Sequence, residues 1–370
     1  LSQRSMPYDL PNDPSIRRIL IIKWSALGDI AMATCVMEDV ARAFPNAQID
    51  LNTLPPWDKL FTGDPRFSNI SKINIRAKQG KWAAIWAWMQ QVRQQRYDLI
   101  VDLQSNDRSR FMLMFLQLTG NATRFLIGNH PSRPYNISGP DMPGDPNPVQ
   151  RMRAAIKAAG IPVNTARPVL HIPAHNQQHA HELQKKYGLT AGRYAIFYPG
   201  CQAAGYLKRW GEDKYAELAR QLLISEVDQV VLIGGKDEIE DCRRITELVG
   251  AGVVNLCGET EVLDIVPLAR DAKYQVGNDT GTAHLAASSS QPMVVVCGPT
   301  DPYRVKPQGD NVIAIQADMP CLNCYCKQDC THHSCMKAVQ PEHVIEALHF
   351  KDGPVMIIPI PKAQQGLSDS

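Results

Sequence analysis

The segment Tyr274–Pro302, YQVGNDTGTAHLAASSSQPMVVVCGPTDP, reads as strand, tight turn, short helix, strand and loop. Gly277 and Asn278 read as a turn after an apolar run, Asp279, Thr280 and Gly281 stand where a helix begins, and Thr282 to Ser289 is small and helix-compatible. A helix start leaves backbone N–H groups unpaired and carries partial positive charge. Gly281 would let a ligand approach that backbone closely. The segment is therefore a candidate seat for a diphosphate. The competing reading is a buried βαβ unit in which Asp279 and Thr280 only cap the helix.

The surrounding chain has 370 residues, enough for two domains of ordinary size. Its 44% apolar and 21% charged content are globular values. A net charge of +2 lacks the basic excess of a nucleic-acid-binding protein. No apolar run approaches the length that spans a bilayer. Residues 1–15 are polar and Pro-containing, and read as a flexible leader rather than a signal peptide. With no export signal, the ten cysteines are expected as thiols or metal ligands in a cytoplasmic protein.

Arg17 to Lys23, RRILIIK, has the composition of a buried parallel strand. Trp24 to Asp29 follows as a loop, then a helix from about Ile30 to Phe44 and a second strand from Gln48 to Leu54. Asp29 thus falls at the carboxyl end of a sheet, where open α/β folds place ligands. It reads either as a helix cap or as a general base. Further on, Trp82, Ile85, Trp86 and Met89 recur at helical spacing, which favours a core face. The basic residues Lys72, Arg76, Lys78 and Lys81 before them suit an anionic acceptor at a membrane surface. Residues 128–150 are rich in Pro, Gly and Asn and are expected as a loop over a ligand cleft. His175, His179 and His181 lie on a strongly polar helix and read as a solvated face rather than a metal site.

A second α/β run begins at Tyr194 to Tyr198, and the loop from Pro199 to Trp210 places Lys208 and Arg209 where they can neutralise phosphates. Alternation of β and α in both halves predicts two doubly wound domains with a ligand cleft between them. No G-x-G-x-x-G follows a strand, and no P-loop, nucleophile elbow or H-E-x-x-H occurs, so dinucleotide oxidoreductases, P-loop NTPases, α/β-hydrolases and zincins are disfavoured.

KWSALGD at 23–29, PGCQAAGYLKRW at 199–210, GNDTGTAHLAA at 277–287 and CGPTDP at 297–302 resemble glycosyltransferase family 9, whose best-known members are ADP-heptose:lipopolysaccharide heptosyltransferases. The resemblance covers most of residues 16–350 in order and spacing. It implies a GT-B fold: two Rossmann-like, doubly wound α/β domains facing a central cleft. The implied layout is an acceptor domain over 16–170, a linker helix over 171–190, a nucleotide-sugar domain over 191–340 and a C-terminal helix and tail over 341–370. The implied reaction is inverting transfer of heptose from ADP-heptose to a lipopolysaccharide inner-core acceptor at the cytoplasmic face of the inner membrane. The alternatives are another nucleotide sugar, a protein acceptor, or a non-catalytic nucleotide-sugar-binding scaffold. By resemblance Asp29 matches the base. Lys208 matches the lysine on the donor diphosphate, and Asp279, Thr280, Gly281 and His284 match the element that holds diphosphate and heptose. Glu238 falls near the acidic residue that meets the nucleoside. Lys78 and Lys81 lie where acceptor phosphates bind. No cofactor is implied for catalysis.

Cys321, Cys324, Cys326, Cys330 and Cys335 form C-x2-C-x-C-x3-C-x4-C over 321–335. This spacing would let Cys321, Cys324, Cys330 and Cys335 hold a structural Zn or Fe ion, with reduced or partly paired thiols as the alternative.

Overall fold

Short β-branched runs with no room for charge become interior strands. In Arg18–Ile22 (β1), RILII, every residue after the first is buried. The computed structural model describes residues 8–74, 80–120, 123–142, 144, 147–201, 203–326, 330–350 and 354–360. Two compact units divide between His171 and Ile172.

In the first unit β1 leads into α1 (Leu27–Ala43), β2 (Gln48–Thr53), β3 (Asn69–Lys72), α2 (Lys81–Gln95), β4 (Leu99–Asp102), α3 (Asp107–Leu118), β5 (Phe125–Gly128), β6 (Ile137–Ser138) and α4 (Pro148–Ala158). The sheet order is β3-β2-β1-β4-β5-β6 and all pairings are parallel. The chain runs outward from β1 to β3, returns to the centre as β4, and runs outward the other way. The loops after β1 and β4 therefore diverge, leaving a crevice at their carboxyl ends.

The second unit contains α5 (Ala174–Tyr187), β7 (Tyr194–Tyr198), α6 (Glu212–Ser225), β8 (Gln229–Leu232), α7 (Ile239–Val249), β9 (Val253–Asn255), α8 (Ile265–Asp271), β10 (Tyr274–Asn278), α9 (Gly281–Ala286), β11 (Met293–Cys297), α10 (Pro302–Val305), β12 (Val312–Ala317), α11 (Ser334–Ala338), α12 (Pro341–His349) and β13 (Val355–Ile358). Its sheet, β13-β12-β11-β10-β7-β8-β9, is again wholly parallel. The same reversal occurs between β7 and β10. Both units are thus doubly wound α/β layers, as expected from the alternation of elements.

Several boundaries differ from the expectation. The leader is packed from Tyr8 onward: Leu10 is buried and its N–H bonds to Ala159 O at 3.0 Å. The expected linker helix, α5, packs on α8 and the turn before it within the second unit. Residues 128–150 contribute an edge strand, β6, rather than a bare loop. Tyr135 turns inward and donates to the buried Asp102 at 2.6 Å, and the Asn136 side chain bridges Leu126 N at 2.8 Å and Arg124 O at 2.7 Å. A loop with two such anchors has its backbone partners inside the protein, which its Pro- and Gly-rich composition did not disclose.

Asp102 also accepts from the N–H groups of Gln104 and Ser105, at 3.0 and 2.9 Å. Burial pushes its pKa up against the effect of these bonds. Tyr135→Phe removes a charge-assisted bond to this carboxylate and should cost ~1.5–3 kcal/mol, read as a lower urea midpoint for the first unit. An unchanged midpoint would show that solvent or another donor replaces the phenol.

Candidate functional site

In the second unit the reversal point is laced by one amide. Asn278, fully buried at the end of β10, donates from Nδ2 to Pro199 O at 2.6 Å, in the loop after β7. Its Oδ1 accepts from Trp210 N at 3.3 Å and Tyr215 OH at 3.1 Å. Gly277 and Asn278 are therefore strand residues, not the expected turn. Side-chain bonds to the neighbouring loop hold the chain direction that a turn would have set.

Beyond Asn278 lies a charged pair. Lys208 Nζ donates to Asp279 Oδ2 at 2.6 Å, and Thr300 Oγ1 donates to the same oxygen at 3.2 Å. His284 Nε2 stands 3.8 Å from Asp279 Oδ1. Burial favours the neutral form of Asp279, but the neighbouring His284 imidazole and the Lys208 ammonium outweigh it and hold the carboxyl below the usual range. Burial likewise disfavours the Lys208 ammonium, and the Asp279 charge and hydrogen bond more than restore it, leaving its pKa raised. The pair is ionised from both sides. His284 Nδ1 is buried with no hydrogen-bond partner among the described residues, as a group reserved for a ligand would be.

Thr280 is the N-cap of α9, its Oγ1 accepting from Ala283 N at 3.3 Å, and Gly281 opens the helix. This helix has only six residues. Its dipole is correspondingly small, and the positive charge at the site belongs chiefly to Lys208 rather than to the helix start. Asp279 orients that lysine.

Two further loops frame the pair. Arg209 bonds Cys201 O at 2.8 Å and Asp237 O at 3.2 Å, and pairs with Asp241 at 2.9 Å. Glu238 accepts from Gly235 N at 2.6 Å, and its side chain fills the space where a Cβ on Gly200 would sit. Gly200 is thus required by close approach, and the loops after β7 and β8 are fastened together.

The Cys-rich segment supports the same loops. Tyr325 N donates to Pro299 O at 2.8 Å, and the Gln316 amide spans Gly298 O, Thr300 O and Asn323 Oδ1. His333 Nε2 donates to Leu207 O at 2.6 Å, one residue from Lys208. Among the described residues no three His, Cys, Asp or Glu side chains are grouped to hold a metal ion. Cys335 is buried beneath Gly298 in the apolar core, where burial pushes its thiol up to about 11, whereas Cys324 is exposed. Cys321, Cys324 and Cys330 nonetheless lie near enough to Cys335 for their charges to act on its thiol.

In the first unit Asp29 occupies the third position of α1, and its Oδ2 accepts from Ala26 N at 3.1 Å. The cap and the base are not exclusive. The bond fixes one oxygen, and Oδ1 takes no hydrogen bond among the described residues. Gln104 Oε1, from the loop after β4, accepts from Trp24 N at 3.0 Å and Ser25 N at 3.3 Å. Trp24 is buried and bonds Asn52 Oδ1 at 2.8 Å. Lys23 is buried below this loop with Nζ 3.4 Å from Leu103 O. Burial lowers its pKa, partly offset by the charges of Asp29 and Asp102. Lys23, Gln104 and Asn278 escaped the sequence reading because their partners lie about 80 residues away. The usable signal was a polar residue closing or following an apolar strand.

Lys78 lies outside the described residues, and Lys81 opens α2. On the histidine helix His175 and His181 are exposed, as expected of a solvated face, whereas His179 Nδ1 meets the buried Asp264 at 2.7 Å, beside Asn176 at 2.7 Å. The acidic partner that the local sequence lacked comes from the turn before α8. The aromatic stripe of α2 also divides. Met89 is buried with Trp88 and Val92, whereas Trp82 and Trp86 are 75% and 54% exposed.

The profile of glycosyltransferase family 9 (heptosyltransferase) matches residues 85–334. This chain belongs to glycosyltransferase family 9. It is a glycosyltransferase, with the paired doubly wound units of the GT-B fold. It is 29% identical over 317 residues to lipooligosaccharide heptosyltransferase 2 of Haemophilus influenzae, covering 80% of this chain and 88% of that one. Its fold is similar to that of the Veillonella parvula family 9 glycosyl transferase (TM-score 0.74, 16% identity, 90% and 95% covered). It is also similar to that of Escherichia coli ADP-heptose lipopolysaccharide heptosyltransferase II (TM-score 0.68, 24% identity, 90% and 97% covered). Among the described residues no helix is long and apolar enough to cross a membrane.

Because Asp279 is held below its ordinary pKa, its contribution to stability is present above the unfolded carboxylate value of about 4 and is lost as pH falls through the depressed folded value. Asp279→Asn should therefore flatten the acid side of a Tm–pH curve between about pH 5 and 3. An unaltered acid limb would mean that the pair is not ionised in the folded state.

Proposed function

We propose that the chain transfers heptose from an ADP-heptose donor to a lipopolysaccharide-type inner-core acceptor at the cytoplasmic face of the inner membrane. The observation that carries this reading is the pair of half-buried Lys208 and buried Asp279 at the reversal point of the second sheet. It provides one oriented cation where a family 9 enzyme must stabilise a departing diphosphate. The heptosyltransferase activities of the similar Haemophilus influenzae and Escherichia coli proteins support the sugar and the acceptor class.

In this reading the second unit takes the donor. Lys208 meets the diphosphate and loses part of its contact with Asp279 as it does so. Thr280, Gly281 and His284 surround diphosphate and sugar, and Glu238 approaches the nucleoside. The first unit takes the acceptor, with Lys78 and Lys81 toward its phosphates. Asp29 Oδ1 accepts the proton of the acceptor hydroxyl, whose oxygen attacks the anomeric carbon on the side opposite the leaving diphosphate. Attack from that side inverts the configuration. The charge on ADP develops as the C–O bond breaks and falls on the Lys208 ammonium, so no step is assigned to a cofactor.

Asp29→Ala should abolish turnover while donor affinity, measured by calorimetry, stays within about twofold. Retained turnover removes the base from Asp29. Lys208→Ala should weaken donor binding by roughly 10- to 150-fold, as expected for a charge-assisted contact of ~1.5–3 kcal/mol. A panel of ADP-, UDP- and GDP-sugars tests the donor. Preference for a UDP- or GDP-sugar would replace ADP-heptose.

A further inference from the structure

We infer that the groove between α2 and α3 of the first unit is a docking face for an anionic lipid bilayer. The groove is open, encloses about 970 Å³, and is lined mainly by Trp82, Ile85, Trp86, Met89, Phe111 and Phe115. Its walls are not core side chains that solvent merely reaches. Trp82, Trp86, Phe111 and Phe115 are 75%, 54%, 66% and 42% exposed, and Leu118, one turn beyond Phe115, is exposed as well. On each helix the exposed aromatics stand four residues apart, so they form two parallel ridges. So much contiguous apolar surface marks an interaction site. Each helix meets its own core through its other face, with Trp88 and Val92 on α2 and Leu113 and Leu116 on α3, while the buried Met89 and Met112 form the floor of the groove.

Charge selects the occupant. Between Phe67 and Tyr97 the sequence holds Lys72, Arg76, Lys78, Lys81, Arg93 and Arg96 and no Asp or Glu. Some of this charge is engaged locally, since Lys72 pairs with Asp58 at 3.3 Å and Arg93 lies over the Trp86 ring. Asp107 sits at the groove beside the exposed Arg108. Among the described residues of α2, its C-cap and α3, Arg93, Arg96, Arg108 and Arg110 outnumber the one acid, Asp107, so the balance there is basic. Two copies of this face would bring like charges together, which disfavours self-association. Trp flanked by Lys and Arg is the composition of an element lying at a membrane interface, where the indole sits at headgroup level and the cations meet anionic lipid. The inference deepens the proposed function, because a lipid-borne acceptor lies at such a surface. Its test uses neither donor nor acceptor, so its failure would leave the transfer reaction standing, and the reverse also holds.

The full chain is sedimented with vesicles of phosphatidylethanolamine and phosphatidylglycerol, and with vesicles of phosphatidylcholine alone, at low and high salt. Binding is expected to the anionic vesicles, to weaken with salt, and to fall about tenfold or more in the Trp82→Ser/Trp86→Ser variant. Tryptophan emission should shift to the blue on binding in the unsubstituted chain, and the shift should be lost in that variant. Phe111→Ser/Phe115→Ser provides an independent second variant, and unchanged Tm values confirm that each remains folded. Equal binding by the parent chain and both variants, or no binding to anionic vesicles, overturns the inference. So does a concentration-dependent dimer in sedimentation velocity that either double variant dissolves, which would assign the face to a second copy.

Discussion

An ammonium and a carboxylate taken out of water together are tolerable only if each has the other and neither has to search for it. Half-buried Lys208 and buried Asp279 meet this condition at 2.6 Å. Breaking such a pair by removing one member leaves a buried charge without compensation, a far larger penalty than the pair itself is worth. The second unit is built to keep both ends still. Thr300 and His284 hold the carboxylate, His333 holds the carbonyl next to the lysine, and Asn278 holds the loop from which the lysine departs. In the proposed reading a diphosphate meets a cation whose position is set before it arrives, which is the condition for electrostatic stabilisation without reorganisation.

The two units solve the same topological problem in the same way. Each sheet reverses direction at its centre, and each reversal leaves a crevice between two loops that the backbone ladder does not join. In the first unit Gln104, after β4, bonds the backbone of Trp24 and Ser25 after β1. In the second, Asn278, ending β10, bonds Pro199 after β7. A neutral amide suits this position because it both donates and accepts without bringing charge into the crevice. The ionisable groups, Asp29 in one unit and Lys208 in the other, are then carried by the laced loop. The Cys-rich segment supports the same loops from below, through the Tyr325 backbone and His333.

The alternation of elements, the parallel sheets and the residues that meet at the reversal point of the second sheet were all legible in the chain. Parallel strands covered on both faces leave uninterrupted apolar runs, and the connections between them leave Gly, Asp and Thr at strand ends. The α2 stripe was misread because helical spacing reports that residues share a face, not whether that face meets the core. Trp82 and Trp86 turn outward while Trp88 and Met89 turn in, a rotation of one residue that periodicity alone does not resolve in a helix with four apolar positions out of every seven. His179 was misread for a related reason. Its partner Asp264 is 85 residues away and contributes nothing to local polarity.

By itself the sequence determined the class of fold, the family and the positions where charge enters the crevices, because these depend on local composition and on order along the chain. Only the tertiary structure decided what each polar group does there. It made Asp279 the holder of Lys208, placed Asn278 in a strand, buried Cys335 while leaving Cys324 exposed, and exposed two of the three tryptophans of α2. Those outcomes depend on which strand ends become neighbours when a sheet reverses, and that proximity is a property of the folded chain rather than of any segment of it.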